Sequence, residues 1–351
     1  MKINNKVKNI LLTCEGGLGK IILSTAVIRA IKKQYPDKRI YVISGHPDIF
    51  MYNPNVYRAY NFANPLYLYD DLINEETYVA SVEPYKDYDY INGNTHLVES
   101  WCNMLGVKSD GIRPDLFFID QEIESAKLYI ERVKKDNNAV NKKVLLVQWI
   151  GGKIPEKPQP EYVKGALASM YVRHLPFDTV KEVVEEIKDK YLILNFSHIN
   201  FPQIDNAVHC FHKIRETLAL FTQADSFIGI DSFVMHACAS NQINKQGIIC
   251  WAGTSPKRLG YDVHINLEKK VCPTPECHRP NSFLFDIGQD RKPWACSLGE
   301  PCTKYTKKEI LATLAKYEIS QKMTFELPDS DIALTSLEST DNSKCDFKCE
   351  K

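Results

Sequence analysis

The chain of 351 residues carries 44 Lys+Arg against 44 Asp+Glu, with 44% hydrophobic and 25% charged residues. That size suits two cored domains of ~150 residues, and the charge balance gives no bulk attraction to nucleic acid or to an anionic bilayer, although a local basic groove is still open to it. Near the N-terminus the apolar run is only Ile10 to Leu12, far short of a secretory core. No stretch reaches the ~20 apolar residues of a membrane span, so a cytoplasmic protein with at most peripheral membrane association is expected.

The odd total of eleven cysteines argues against a closed disulfide framework. Cys14, Cys102, Cys210, Cys238 and Cys250 lie in apolar surroundings and read as small buried hydrophobes.

Strand-like runs alternate with helical periods along the chain. "VKNILLTC" reads as a strand, residues 20–34 as a helix with Leu23, Val27, Ala30 and Ile31 on one face, and "KRIYVISG" as the next strand. Three such elements with short connections make a βαβ unit and therefore a parallel sheet. Residues 46–92, rich in Tyr, Asn and Pro, read as loop-dominated. A helix around "HLVESWCNML", a short strand "DLFFI" and a charged helix over 121–135 follow.

Residues 136–143, "DNNAVNKK", are polar and loop-favouring, and they mark a boundary between domains 1–142 and 143–319. The second series opens on the strand "KVLLVQW". It continues with a helix over 177–189, a strand "YLILNF", a helix over 214–223, a strand "SFIGI", a helix over 232–240 and a strand "GIIC". Two successive doubly wound halves predict an α/β fold of two Rossmann-like domains facing a cleft. The polar segment 320–351 lacks sustained periodicity and reads as a disordered tail.

Two stretches carry chemistry. Residues 14–33, "CEGGLGKIILSTAVIRAIKK", put three glycines and a lysine between the first strand and its helix. This is not a P-loop, because Ile21 follows Gly19-Lys20 where a magnesium-binding hydroxyl belongs and Cys14 replaces the first glycine. A dinucleotide fingerprint fits Gly17 and Gly19 but has Ile22 in place of its third glycine. What remains is a loop whose glycines let the backbone approach a ligand, ahead of a helix N-terminus that favours negative charge. A purely structural tight turn competes with that reading. In the second stretch, residues 224–240, "ADSFIGIDSFVMHACAS", Asp231 ends a strand, Ser232 opens a helix and His236 lies within it. The carboxyl end of a parallel strand is where open α/β sheets bind ligands, whereas a plain N-cap would leave Asp231 structural.

Together these stretches resemble the ADP-heptose:lipopolysaccharide heptosyltransferases, glycosyltransferase family nine. "GGLGKIILSTAVIRAIKKQYPDKRIYVISG" is similar to the family's opening strand, loop and helix. Asp231, Ser232, His236 and Ala239 match its D-[ST]-G-x-x-H-x-A-A segment, "CWAGTSPKRLG" its following strand and loop, and "YVRHLPFDTVKEVVEEI" the entry to its donor domain. The resemblance spans residues 8–318. It implies a GT-B architecture with an N-terminal acceptor-side domain, a C-terminal nucleotide-sugar donor domain and no obligatory metal.

The resemblance also implies roles. Asp231 would hydrogen-bond sugar hydroxyls, the amides of Ser232 and Phe233 would hold phosphate oxygens, and Arg173 would neutralise the diphosphate, stabilising charge where it develops on the leaving group. Gly17, Gly19 and His236 belong to the same expected donor site, and Lys153 in "WIGGKIP" is a further cationic candidate. Two departures stand out. The family's loop usually reads Gly-Asp, the Asp being the general base, but this chain has Lys20, and an ammonium cannot take the acceptor proton at neutral pH. Lys20 becomes a phosphate-binding candidate and Glu15 the candidate base, unless the reaction needs none. Phe233 replaces the family's usual glycine and limits the approach of a ligand to the backbone.

Cys272, Cys277, Cys296 and Cys302 form a further group, which could build a tetrahedral structural zinc site with His278 as an alternative ligand, or remain as reduced thiols. The expected function is transfer of a heptose or hexose from a nucleotide-diphosphate sugar to a saccharide or glycolipid acceptor. The alternatives are a catalytically inactive nucleotide-sugar-binding protein, or a glycosyltransferase acting on a nucleobase or protein.

Overall fold

The computed structural model describes residues 3, 6–65, 68–72, 76–151, 174–269 and 301–326. In chain order the strands are β1 (Asn9–Cys14), β2 (Arg39–Ser44), β3 (Arg58–Asn61), β4 (Thr77–Ala80), β5 (Lys143–Val147), β6 (Tyr191–Asn195), β7 (Val208–His209), β8 (Ser226–Gly229), β9 (Gly247–Trp251) and β10 (Ile265–Glu268). The helices are α1 (Leu18–Gln34), α2 (Leu68–Leu72), α3 (Tyr88–Ile91), α4 (Leu97–Leu105), α5 (Asp120–Asp136), α6 (Phe177–Ile187), α7 (Ile214–Phe221), α8 (Phe233–Cys238), α9 (Pro256–Leu259) and α10 (Lys307–Glu326).

The strands form two parallel sheets. The first has the order β3-β2-β1-β4 and the second β10-β9-β8-β5-β6-β7. Renumbered within its own half, the second sheet is 6-5-4-1-2-3, the doubly wound dinucleotide-fold order, and the first is the 3-2-1-4 part of the same pattern. Each sheet therefore has a switch point, between β1 and β4 in one and between β5 and β8 in the other, where successive connections leave in opposite directions. The strands are the near-continuous apolar runs expected of sheets covered on both faces: every residue of β6 and of β9 is buried.

Helix α1 departs from the one-faced pattern, being buried on every side from Lys20 to Ile28. Packing against α4 and against α8 of the second half accounts for this. Its small hydroxyls are absorbed locally, Ser24 donating to the Ile21 carbonyl and Thr25 to that of Ile22, both at 2.7 Å. One contiguous apolar cluster runs from Ile10 and Val42 through Val27 and Met235 to Ile249, so the two sheets share a core within a compact unit that ends at Leu311.

One expectation is refined and one corrected. Residues 46–92, read as loop-dominated, also supply β3 and β4, one edge of the first sheet and the strand that creates its switch point. "DLFFI" is not a strand. The Leu116 amide donates to Asn241 Oδ1 at 2.8 Å and the Phe118 amide to Gln242 Oε1 at 2.5 Å, so side chains of the second half take the hydrogen bonds a sheet neighbour would otherwise supply. Beside it Arg113 donates to the Ala239 carbonyl, and Arg215 pairs with Glu122 at 2.7 Å. Helix α10 continues to Glu326, past the expected start of a disordered tail; residues 327–351 lie outside those described.

Candidate functional site

The carboxyl edge of the first sheet is built by the loops leaving β1 and β4. Gly16 sits in the left-handed region at φ +105°, which a side chain would strain, and this lets the chain turn from β1 into α1. Gly17 precedes the helix at φ −72° with open space where a Cβ would stand. Glu15, Gly16 and Gly17 are exposed, and Gly19 is half-buried.

Lys20 is the buried end of this loop. Its side chain is 5% exposed, its Nζ donates to Glu83 Oε2 at 2.7 Å, and the ammonium lies 5.5 Å from the ring centroids of both Tyr85 and Trp101. Glu83 comes from the segment after β4 and is 24% exposed, its Oε1 accepting the Tyr85 amide at 3.3 Å. Burying a cation is costly unless it is paired and shielded, and here the carboxylate and two aromatic faces do both.

The matching edge of the second sheet carries the other predicted residues. Asp231 is buried, accepting the Thr254 hydroxyl on Oδ2 at 3.2 Å, with His236 Nε2 at 4.0 Å from Oδ1. His236 Nδ1 shares a hydrogen bond with the Tyr261 hydroxyl at 2.8 Å. Burial, and then the nearby Asp231 charge, push the Tyr261 phenol well above its ordinary range, so it is a neutral partner for the imidazole. The Ser232 hydroxyl at the N-cap position makes no capping hydrogen bond to α8. Ser232 instead faces Gly151 at the exit of β5, where a Cβ would stand 3.1 Å from its Oγ. Phe233 turns aside to stack on Phe221, with ring centroids 6.0 Å apart.

Gly19 joins the two edges. A Cβ there would lie 2.8 Å from Cδ2 of His236 and 3.7 Å from Cα of Phe233. The structure thus brings Gly19, Lys20, Asp231, Ser232, Phe233 and His236 into one neighbourhood and leaves Glu15 exposed on the preceding loop. Arg173, Lys153, Cys272, Cys277, Cys296 and His278 lie outside the described residues, and Cys302 is half-buried. No cluster of metal-ligating side chains occurs among the described residues. The five other cysteines among the described residues are buried free thiols, and burial pushes Cys14, Cys102, Cys210 and Cys250 up to about 12 and Cys238 upward as well, which removes them as nucleophiles.

Sequence reasoning missed Glu83, Thr254 and Tyr261 as site residues. Thr254 and Tyr261 stand inside the quoted "CWAGTSPKRLG" stretch and one residue beyond it. Glu83 follows a strand that was read as loop; an acidic residue ahead of Pro84 at a strand exit was the available signal.

Neither a protein-family model nor a curated protein sequence matches the chain. Solved structures do. A family 9 glycosyltransferase from Veillonella parvula superposes with a TM-score of 0.58 over 89% of this chain and 97% of its own, at 13% identity. ADP-heptose LPS heptosyltransferase II of E. coli gives 0.52 over 90% and 99%, at 12% identity. The iron-containing dodecameric glycosyltransferase TibC of enterotoxigenic E. coli gives 0.60 over 92% and 78%, at 11% identity. The chain has the GT-B fold of these glycosyltransferases. Family 9 glycosyltransferases thus share with it the α/β architecture of parallel sheets, over most of both chains.

Proposed function

We propose that the chain is a glycosyltransferase of the family 9 type, moving a heptose or hexose from a nucleotide-diphosphate sugar to a saccharide or glycolipid acceptor. The observation that carries this is the contact of Gly19 with His236. It sets the switch-point edge of the first sheet, with Lys20 and Glu83, against that of the second, with Asp231 and Ser232. Ligands of open α/β sheets sit at such edges. The fold supports the same reading, since TibC, described as a heptosyltransferase in complex with ADP-D-β-D-heptose, superposes at a TM-score of 0.58.

In this reading residues 1–142 serve the acceptor and 143–319 the donor. Asp231 orients sugar hydroxyls, the amides of Ser232 and Phe233 and the guanidinium of Arg173 hold the diphosphate, and the reaction proceeds in the cytoplasm. Thr254 and His236 fix the Asp231 carboxylate so that it need not reorganise when the sugar arrives.

A thermal-shift screen of the full chain against ADP-, GDP-, UDP- and CDP-sugars tests the proposal, because a ligand that binds the folded state alone raises the melting temperature. Selective stabilisation by one nucleotide class, followed by release of that nucleotide during turnover, is expected. Stabilisation without transfer or hydrolysis would leave a binding protein, and no stabilisation by any of them would sink the proposal.

A further inference from the structure

Lys20 and Glu83, 63 positions apart, meet because β4 runs parallel beside β1, so the segments leaving both strands emerge at one edge. The pair is asymmetric. Lys20 is the inner member, sealed by Tyr85 and Trp101, whereas Glu83 keeps about a quarter of its side chain accessible. Of the two charges, the carboxylate is the one an incoming hydroxyl can reach. A carboxylate also has lone pairs to accept a proton, which an ammonium lacks.

We infer that Glu83 is the proton acceptor of the transfer reaction, held in place and charge-balanced by Lys20. The inference rests on the transferase reading above. In the step, the acceptor hydroxyl oxygen bonds to the anomeric carbon, and the bond from that carbon to the diphosphate oxygen breaks. Its electron pair leaves on the nucleoside diphosphate, and the hydroxyl proton passes to Glu83. Protonation cancels the carboxylate charge, so the Lys20 ammonium loses its counter-ion just as the diphosphate gains charge. Until then Lys20 holds the carboxylate in place, its ammonium 2.7 Å from Oε2. Glu15 is exposed on the neighbouring loop, whereas Glu83 is fixed through both oxygens by Lys20 and the Tyr85 amide. Fixed orientation is what a proton acceptor requires.

The test uses the full chain with ADP-heptose, following ADP release to water or to an acceptor pool and, separately, ADP affinity by calorimetry. Glu83→Gln keeps the shape and the acceptor for the Tyr85 amide but cannot take the proton. It is expected to release ADP ~10²-fold more slowly with ADP affinity within about threefold of wild type. Glu83→Ala should regain turnover as formate is added, a response that a purely structural role would not give. Glu83→Asp keeps the charge opposite Lys20 and carries the test should Glu83→Gln unfold: about tenfold slower release with unchanged ADP affinity is expected. Wild-type turnover retained in Glu83→Gln, or an inactive Glu83→Ala that formate leaves inactive, overturns this inference alone. A wild-type protein that neither binds nor cleaves a sugar nucleotide overturns the transferase reading and this inference with it.

Discussion

The imidazole of His236 occupies the space in which a side chain on Gly19 would grow, with Cδ2 2.8 Å from the position of a Cβ. A neighbour that close must move, and the His236 ring is pinned by its hydrogen bond to Tyr261. Gly19→Ala is therefore expected to destabilise the fold by about 1–3 kcal/mol, the range for overpacking a filled site. Gly17→Ala is the control, because Gly17 has an ordinary negative φ and open space around it. It should change stability by no more than about 1 kcal/mol, because the reduced freedom of the unfolded chain and the poorer N-cap that Ala makes oppose each other. Denaturant unfolding of both variants checks the contrast, and equal effects would mean that the contact is loose.

Lys20→Ala removes the partner of a carboxylate that stays three-quarters covered. Breaking a fully buried pair costs about 3–5 kcal/mol, and the partial exposure of Glu83 places this one below that range. Turnover should fall further than stability suggests, by ~10²-fold in kcat with a smaller change in donor KM, because in the proposed reaction Glu83 loses the partner that orients it. A KM effect with unchanged kcat would assign Lys20 to ground-state donor binding instead.

The pH dependence of stability should follow two histidines. Burial pushes His96 down to about 4 from 6.5, and His264 likewise. His96 accepts the Val98 amide on Nδ1 at the start of α4, and His264 Nε2 meets the Met235 carbonyl at 3.0 Å. Between pH 6.5 and 4 the unfolded chain binds protons that the folded chain does not. Stability is then full above 6.5 and declines as pH falls to 4, by on the order of 3 kcal/mol per ring at full extent. His96→Asn keeps an N-capping oxygen but cannot titrate, so it should remove a substantial part of the slope. Unfolding curves from pH 4 to 8 that are flat for the wild type would contradict this.

Periodicity made the second half legible, since β5, β6, β8 and β9 are continuous apolar runs whose burial on both faces leaves the pattern in the residues themselves. β3 and β4 were not legible. They are four residues each, contain exposed positions and sit among Tyr and Asn, so only their parallel neighbours define them. That one gap hid Glu83, because its relation to Lys20 exists only once β4 is placed beside β1. "DLFFI" failed for the opposite reason: its apolar side chains bury as a strand's would, but its amides find Asn241 and Gln242 rather than a ladder. Asp231 was legible because the strand-to-helix junction that presents it is local in sequence, whereas its partners Thr254 and His236 depend on β8, α8 and β9 being packed together.

Asp231 gives the decisive test of the donor side. It is 2% exposed and bonded to Thr254, so truncation removes both a proposed sugar contact and an internal hydrogen bond, and two variants are needed to separate them. Asp231→Asn retains an oxygen for the Thr254 hydroxyl and should leave stability within about 1 kcal/mol of wild type. It should weaken sugar-nucleotide turnover by at least about tenfold, because an amide replaces a charged acceptor at the sugar hydroxyls. Asp231→Ala should show the same kinetic loss together with a stability cost of about 1–3 kcal/mol from the orphaned partner. Measured against the free nucleoside diphosphate, which lacks the transferred sugar, both variants should bind with nearly wild-type affinity. Equal losses for the sugar nucleotide and the bare nucleotide would move Asp231 from the sugar to the phosphates, and unchanged kinetics would remove it from the site.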